Sequence, residues 1–144
     1  MEERRISVKK EGNVLKVILD SSFFFVPSQF NIDIFEGLAE VLNRHFKPII
    51  LSSTYKELQK IAESGSTKLR RQAAFALKLA QKCCQFYVEK GVEESHDDII
   101  VRVASKLKCY VATNDRALRK RLRDINVPVI YLRQKSRLAV DGPI

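Results

Sequence analysis

The chain has 144 residues and 45% of them are hydrophobic, which suits one folded domain with its own core and argues against global disorder. No apolar run is long enough to cross a bilayer and the charged start MEERRISVKK does not look like a signal peptide, so we expect a soluble cytoplasmic protein with no membrane partner. The net charge of +9 is concentrated late in the chain, from Arg116 onward, which indicates a polyanionic partner.

The first third of the chain alternates between strand and helix patterns. The almost continuous apolar run from Val14 to Leu19 predicts a strand that is buried on both faces, as in a parallel sheet. A helix is predicted next from apolar residues at helical spacing: Ile34, Leu38, Val41 and Leu42. The segment PIILSS predicts a second strand, after which Ser52 or Ser53 is expected to cap a helix that ends at Gly65. The cluster SSFFFVPSQF between the first strand and the first helix belongs either to the core or to a dimer face.

One long helix is predicted next, over TKLRRQAAFALKLAQKCCQFYVEK and ended by Gly91. Its apolar stripe is interpreted as core and consists of Leu69, Ala73, Ala76, Leu77, Ala80 and Cys84. Cys83 and Cys84 are expected to pack in this helix as small hydrophobic side chains. Together with Cys109 they lack the paired spacing of a zinc site.

The last third continues the alternation of helices and strands. Apolar residues at helical spacing predict a helix over IIVRVASKL, and CYVAT predicts a third strand. A basic helix from Arg116 to about Asp124 and a fourth strand over VPVIYL follow. This order predicts an α/β fold with a mostly parallel sheet, in one domain over residues 1–144 with a core at about 14–132 and a basic tail at 133–144.

Acidic residues occur where this sheet would place a ligand, at the carboxyl ends of its strands. Asp20 ends the first strand, Asp115 follows the third, and Glu57 lies early in the helix after the second. Asp97 and Asp98 begin the helix that leads into the third strand. Taken together, these carboxylates would repel one another, and a hard divalent cation such as Mg²⁺ or Mn²⁺ would compensate their charge.

Each acid also has a purely structural interpretation when it is considered alone. The aspartates at helix starts are typical N-caps, and Glu57 could pair on the surface with Lys56 or Lys60. His96, just before the acidic pair, is interpreted as a surface residue, with a substrate phosphate as its alternative contact. A receiver-like domain also gathers acids at strand ends, but it would require the acidic pair after the first strand.

Five segments in this order resemble the PIN-domain nucleases: VILDSSFFF, SSTYKELQK, SHDDIIVRVASKL, CYVATNDRALRKRL and VPVIYL. The resemblance covers about residues 14–132, and the combination is specific although each segment is weak alone. It implies a three-layer α/β/α sandwich and a single-domain endoribonuclease that uses Mg²⁺ or Mn²⁺. The basic segments TNDRALRKRL and YLRQKSRL are most similar to archaeal PIN proteins related to the nucleases that process small-subunit ribosomal RNA, and less similar to the VapC toxins.

Residue by residue, the resemblance implies four catalytic acids, namely Asp20, Glu57, Asp98 and Asp115. The implied metal ligands are Asp20, Asp98 and Asp115, with Asp97 as the alternative to its neighbour because the register of the acidic pair is open. Supporting polar residues are implied at Ser21, Thr113 and Asn114. Ser22 stands where the family more often has Asn, so no ligand role is expected for it.

The function implied by the resemblance is the hydrolysis of RNA phosphodiester bonds by an activated water, without a covalent enzyme intermediate. Three arginines on one face of the basic helix are expected to contact backbone phosphates, namely Arg116, Arg119 and Arg123. Ribosomal RNA processing is the expected role, with pre-ribosomal RNA as the partner. A VapC-type toxin and a non-catalytic RNA-binding PIN protein are the alternatives, and homodimers are common in the family.

Overall fold

A computed structural model of the protein describes residues 14–142, so the start MEERRISVKK and the last two residues of the predicted tail lie outside it. One six-stranded sheet has the order β3-β2-β1-β4-β5-β6. Its strands are β1 Leu15–Leu19, β2 Phe46–Leu51, β3 Cys84–Phe86, β4 Tyr110–Ala112, β5 Val129–Arg133 and β6 Arg137–Asp141. The helices are α1 Ser21–Phe24, α2 Val26–Phe30, α3 Ile34–Leu42, α4 Ser52–Ser64, α5 Thr67–Ala80, α6 His96–Leu107 and α7 Arg116–Asp124.

The sheet is parallel except for β6, which pairs antiparallel with β5. Two separate clusters of buried side chains cover its two faces, one with α1 to α5 and the other with α6 and α7. Within β1, Val17 and Leu19 belong to the first cluster and Ile18 belongs to the second. The predictions of a three-layer α/β fold and of a first strand buried on both faces are therefore confirmed. Among the described residues, no helix is long and apolar enough to cross a membrane.

The aromatic cluster after β1 belongs to the core. Phe23 and Phe24 are fully buried in α1, and the half-buried Phe25 packs against the same cluster. Of the two interpretations of SSFFFVPSQF, the core is the one that the fold supports. The two short helices that this segment forms, α1 and α2, were not predicted.

The long helix that was predicted to run to Gly91 is wrong beyond Ala80. The chain turns at Gln81 and enters β3, whose Cys84 lies opposite Ile49 of β2. Hydrogen bonds to the open edge of β2 therefore override the local helical pattern. Cys84 is exposed rather than packed in a helix, whereas Cys83 is buried as expected and burial raises the pKa of its thiol to about 12. The predicted core position Leu69 is also exposed.

Two further expectations are corrected by the fold. Neither Ser52 nor Ser53 caps α4, because β2 runs directly into the helix with Leu51 at the N-cap position. Part of the predicted basic tail forms β6, and Leu138 of this strand packs so tightly on α3 that a Cβ at Gly37 would lie 2.8 Å from its Cδ1 atom. The residues from 137 to 141 therefore complete the sheet.

Candidate functional site

Asp20 occupies the centre of the carboxyl edge of the sheet, directly after β1, and is only 4% exposed. Its Oδ2 atom accepts hydrogen bonds from Ser22 Oγ at 3.0 Å and from Thr113 Oγ1 at 2.8 Å. Burial by itself raises the pKa of this carboxyl, but the hydrogen bonds from His96, Thr113 and Ser22 outweigh it and lower the pKa below its usual value. A buried carboxylate is thus held in its charged form.

The turn between β4 and α7 is joined to Asp20 through two hydroxyl groups. Thr113 is fully buried and its Oγ1 accepts a hydrogen bond from the backbone N–H of Asp115 at 3.1 Å. Ser22 Oγ accepts one from the N–H of Asn114 at 3.1 Å. The side chain of Asn114 instead holds β5, since its Oδ1 accepts the N–H of Leu132 at 2.9 Å. Ser22, for which no ligand role was expected, is therefore part of the hydrogen-bond network around Asp20.

Asp115 caps α7, which confirms its structural interpretation. Its Oδ1 atom accepts the N–H groups of Ala117 at 2.9 Å and Leu118 at 3.1 Å. These bonds leave the second oxygen, Oδ2, free of the cap. The cap fixes the orientation of the carboxylate at the same edge of the sheet as Asp20, so one residue serves the helix and faces the site.

His96 lies inside the site, and its interpretation as a surface residue is wrong. Its Nε2 atom is 3.4 Å from Asp20 Oδ1, 3.3 Å from Glu57 Oε2 and 3.3 Å from Thr54 Oγ1. Burial lowers the pKa of His96, but its hydrogen bond with Asp20 and the charges of the nearby carboxylates raise it above the usual value overall. Ser21 Oγ donates to Glu57 Oε1 at 3.1 Å and completes this side of the site.

The two adjacent acids at the start of α6 differ in their surroundings, because the charges of Asp115 and Asp20 act on Asp97. Asp98 forms a reciprocal capping box with Ser95 and pairs with Arg121 Nη1 at 2.9 Å. Burial and the charges of Asp115 and Asp20 raise the pKa of Asp97. The structure thus brings Asp97 to the site and engages Asp98 in holding the helix start.

The donors at this edge fit a hard divalent cation that keeps part of its water shell. Asp20, Asp97 and Asp115 present carboxylate oxygens, and burial together with the charges of Asp115 and Asp20 raises the pKa of Asp97. Within residues 14–142, no group of three acidic, histidine or cysteine side chains is arranged so that the three together could hold a metal ion. Mg²⁺ typically uses one or two protein carboxylates and several waters, so this donor set suits it.

The three arginines predicted to contact RNA differ in their surroundings. The Arg119 guanidinium lies 3.6 Å from the ring centroid of Tyr131, and its Nε donates to Asp141 Oδ2 at 2.8 Å. Arg123 Nε lies 3.2 Å from Asp141 Oδ1. Both therefore join α7 to β6, while Arg116 makes no ion pair within residues 14–142 and lines an open cleft of about 610 Å³.

Sequence patterns carried some signal for the residues that were missed. Ser95 and Asp98 have the spacing of a capping box, which fixes where α6 begins and so assigns the inward position to Asp97. The same helix start places His96 at the carboxyl edge of the sheet. Nothing in the sequence pattern indicated that Thr54, a residue in the first turn of α4, would contact this histidine.

Comparison with known proteins agrees with this geometry. The model of a family described as "PIN like domain" matches residues 17–135. Ribonuclease VapC4 of Methanocaldococcus jannaschii is 26% identical over 129 residues, which are 90% of this chain and 98% of the relative. The rRNA-processing protein fcf1 of Schizosaccharomyces pombe is 34% identical over 121 residues, which are 83% of this chain and 59% of the relative.

Among solved structures, that of the PIN domain endonuclease Utp24 superposes with a TM-score of 0.73 at 30% identity, covering 90% of this chain and 92% of the other. The likeness therefore extends across the sheet and the carboxyl edge that carries Asp20. Since the family match spans more than half of the sequence and the fold agrees with it, the chain belongs to the PIN-like domain family.

Proposed function

We propose that this protein is an endoribonuclease that hydrolyses RNA phosphodiester bonds with the help of Mg²⁺ or Mn²⁺. One observation carries the proposal: Asp20 is a buried carboxylate that is kept ionised at the carboxyl end of the central strand, and its charge and that of Asp115 both act on Asp97. The names of the relatives support it, since they describe a ribonuclease, an rRNA-processing protein and an endonuclease.

In this proposal Asp20, Asp97 and Asp115 would hold the cation, and Asp97 would take the place of Asp98 in the set implied by the family resemblance. The bound cation would polarise the scissile phosphate and lower the pKa of the attacking water. Thr113 and Ser22 orient the Asp20 carboxylate through their hydrogen bonds, and the cap of α7 orients Asp115.

Glu57 and His96 form the other wall of the proposed site. Their contact at 3.3 Å places a proton donor and acceptor pair beside Asp20. In the hydrolysis, the water oxygen forms a bond to phosphorus, the bond from phosphorus to one bridging oxygen breaks, and that oxygen gains a proton. Glu57 and His96 are positioned to hold or transfer protons during this exchange.

The proposed biological role is ribosomal RNA processing, for which the 34% identity to fcf1 is the supporting observation. A VapC-type toxin is the second candidate, because this chain spans 98% of VapC4 but only 59% of fcf1. Growth arrest on expression in a heterologous host would favour the toxin, and cleavage confined to precursor ribosomal RNA would favour processing. A homodimer is also proposed, and light scattering of the purified protein tests it.

The adjacent acids of α6 provide the matched test of the cleavage mechanism. We expect the parent to cut a fluorescent RNA with Mn²⁺ or Mg²⁺ present and to stop in EDTA, and Asp20→Asn and Asp97→Asn to lower the rate by about 100-fold or more. Asp98→Asn should cut within a few-fold of the parent. If the parent binds RNA but does not cleave it with either metal, or if Asp20→Asn cleaves equally well, the nuclease proposal is wrong and the non-catalytic alternative gains.

A further inference from the structure

A second surface opens beside the acidic site, on the β2 and β3 side of the sheet. It is a cleft of about 700 Å³ that shares Glu57 and His96 with the site. Its remaining wall contains one acid, Glu89, and four neutral residues together with three lysines and one exposed aromatic residue, namely Lys56, Lys60, Lys90 and Tyr87. Because the two regions share residues, a ligand that occupies the site can extend into this cleft without a break.

Tyr87 is the exposed aromatic residue of the cleft, with 74% of its surface accessible. It follows β3 directly, and the next residue is fixed in place: the N–H of Val88 donates to Ser52 Oγ at 2.9 Å, and Ser52 Oγ donates to Val88 O at 3.3 Å. Arg102 Nη2 also donates to the carbonyl of Glu89 at 2.8 Å. The backbone next to the ring is therefore anchored, so less conformational entropy is lost when a base stacks on Tyr87.

The lysines of the cleft are available for an anionic ligand. Lys56, Lys60 and Lys90 are exposed and make no ion pair within residues 14–142. On the opposite flank, Arg119 and Arg123 are both paired with Asp141. Within the described part of the chain, unpaired positive charge therefore lies on the Tyr87 side, next to the carboxylates, as well as at Arg116 on the opposite flank.

The strand order determines the sequence in which a polymer lying along the carboxyl edge of the sheet would meet the two flanks and the acidic residues. Asp20 follows β1, the cleft lies beyond β2 and β3 on one side, and Arg116 begins α7 after β4 on the other. A strand of nucleic acid that runs along the carboxyl edge would meet Arg116, then the acids, then Tyr87. Phosphates suit the lysines, while an unpaired base suits an exposed aromatic ring.

We infer that this cleft is a nucleotide-binding subsite in which an unpaired RNA base next to the scissile phosphate stacks on Tyr87, with its phosphates held by Lys56 and Lys60. The inference rests on the proposed function, because it specifies how the substrate of that site is bound. A base within a duplex is stacked on both faces and cannot reach the ring, so the subsite selects single-stranded RNA at this position.

The test measures binding in EDTA, so that no cleavage occurs, with single-stranded RNA oligonucleotides that carry 2-aminopurine at successive positions. Tyr87→Ala should weaken binding by roughly 5- to 100-fold and abolish the quenching of 2-aminopurine at one position. Tyr87→Phe keeps the ring and should retain both the affinity and the quenching. Val92→Ala, a change at a 97% exposed residue that does not line the cleft, is the control and should behave like the parent.

A second variant tests the phosphate contacts. The double change Lys56→Gln with Lys60→Gln should flatten the slope of log K against log salt concentration by about 1.4, the value for two phosphates of a single strand. Unchanged binding by Tyr87→Ala, or an equal loss in Tyr87→Phe, overturns the subsite, as does a parent that binds no RNA. If the subsite passes this test while the parent cleaves no RNA with either metal, only the proposed function fails.

Discussion

Thr113 Oγ1 donates a hydrogen bond to Asp20 Oδ2 over 2.8 Å, although the two residues are 93 positions apart in the chain. The same hydroxyl oxygen accepts the backbone N–H of Asp115. One fully buried side chain therefore sets the positions of two acids of the candidate site relative to each other.

Replacement of Thr113 by valine should separate the effect of its hydrogen bonds, which position Asp20 and Asp115, from the effect of its packing, because valine has nearly the same shape but no hydroxyl. We expect a loss of about 1–3 kcal/mol in the free energy of unfolding, measured in urea, since Asp20 and the N–H of Asp115 lose a buried partner. For RNA cleavage we expect kcat to fall by about 10-fold or more with KM little changed. Thr113→Ser keeps the hydroxyl and should restore most of kcat; equal rates for the two variants would contradict the positioning role.

The surroundings of two arginines on α7 predict that replacing one weakens RNA binding and that replacing the other lowers the stability of the fold. Arg116→Gln should weaken RNA binding and flatten its salt dependence by about 0.7, because a cation without an ion pair in the described part of the chain is free to meet a phosphate. Arg119→Gln should instead lower the free energy of unfolding by about 1 kcal/mol, because it loses Asp141 and the ring of Tyr131. Filter-binding titrations and urea unfolding of both variants measure the two effects, and a greater loss of RNA affinity in Arg119→Gln than in Arg116→Gln would reverse the assignment.

The adjacent serines at the start of α4 form a second matched pair. Ser52→Ala removes both hydrogen bonds to Val88 and should cost about 1–2 kcal/mol of stability. Ser53→Ala should be neutral or slightly stabilising, because Ser53 Oγ is buried without a hydrogen-bond partner among residues 14–142 and alanine is the better helix former. Thermal unfolding of the two proteins ranks them, and a larger loss in Ser53→Ala would show that its hydroxyl has a partner after all.

The ion pair between Glu94 and Arg102 predicts a pH dependence with a definite sign. The Glu94 carboxylate accepts hydrogen bonds from Arg102 and from the N–H of Gly91, and these bonds lower its pKa below the usual 4.5 in the folded protein. The stabilisation is therefore present at pH values above 4.5 and is lost as the pH falls through the folded pKa. We expect the parent to melt at a higher temperature than Glu94→Gln at pH 7, with the difference shrinking progressively below pH 4.5.

The control for this experiment is Glu93→Gln, which changes a glutamate with no ion pair in the described range. Its melting temperature should follow that of the parent at every pH. A difference between the parent and Glu94→Gln that stays constant down to strongly acidic pH would show that the carboxylate charge is not what stabilises this loop.

The parts of the fold that were predictable are those with a strong local pattern. The apolar run of β1 and the basic helix after Asp115 were located correctly, because burial on two faces and a capping aspartate leave a signal within a few residues. The end of α5 was not located correctly, because the strand that follows it, β3, is held by hydrogen bonds to β2, which lies more than thirty residues earlier in the chain. Likewise β6 depends on β5 for its partner, and its sequence, RLAVD, has little strand character alone.

The same distinction applies to the candidate site. Asp20, Glu57 and Asp115 could be listed from the sequence because a parallel sheet brings the residues after its strands to one edge. The position of His96 between Asp20 and Glu57 could not be predicted, since it depends on how far α6 extends toward the carboxyl edge of the sheet. The proposed choice of Asp97 over Asp98 rests on Ser95, whose capping box engages Asp98 at the start of α6.

The central place of β1 has a consequence for synthesis on the ribosome. Among the described strands this one is synthesised first and β2 follows early, but its other neighbour, β4, begins only at Tyr110. Until then the nascent chain carries an apolar strand with one row of unpaired backbone groups, a state that invites pairing with other chains. Asp20 also lacks Thr113 during this interval, so the hydrogen bond between them cannot form before the chain has been synthesised past the end of β4.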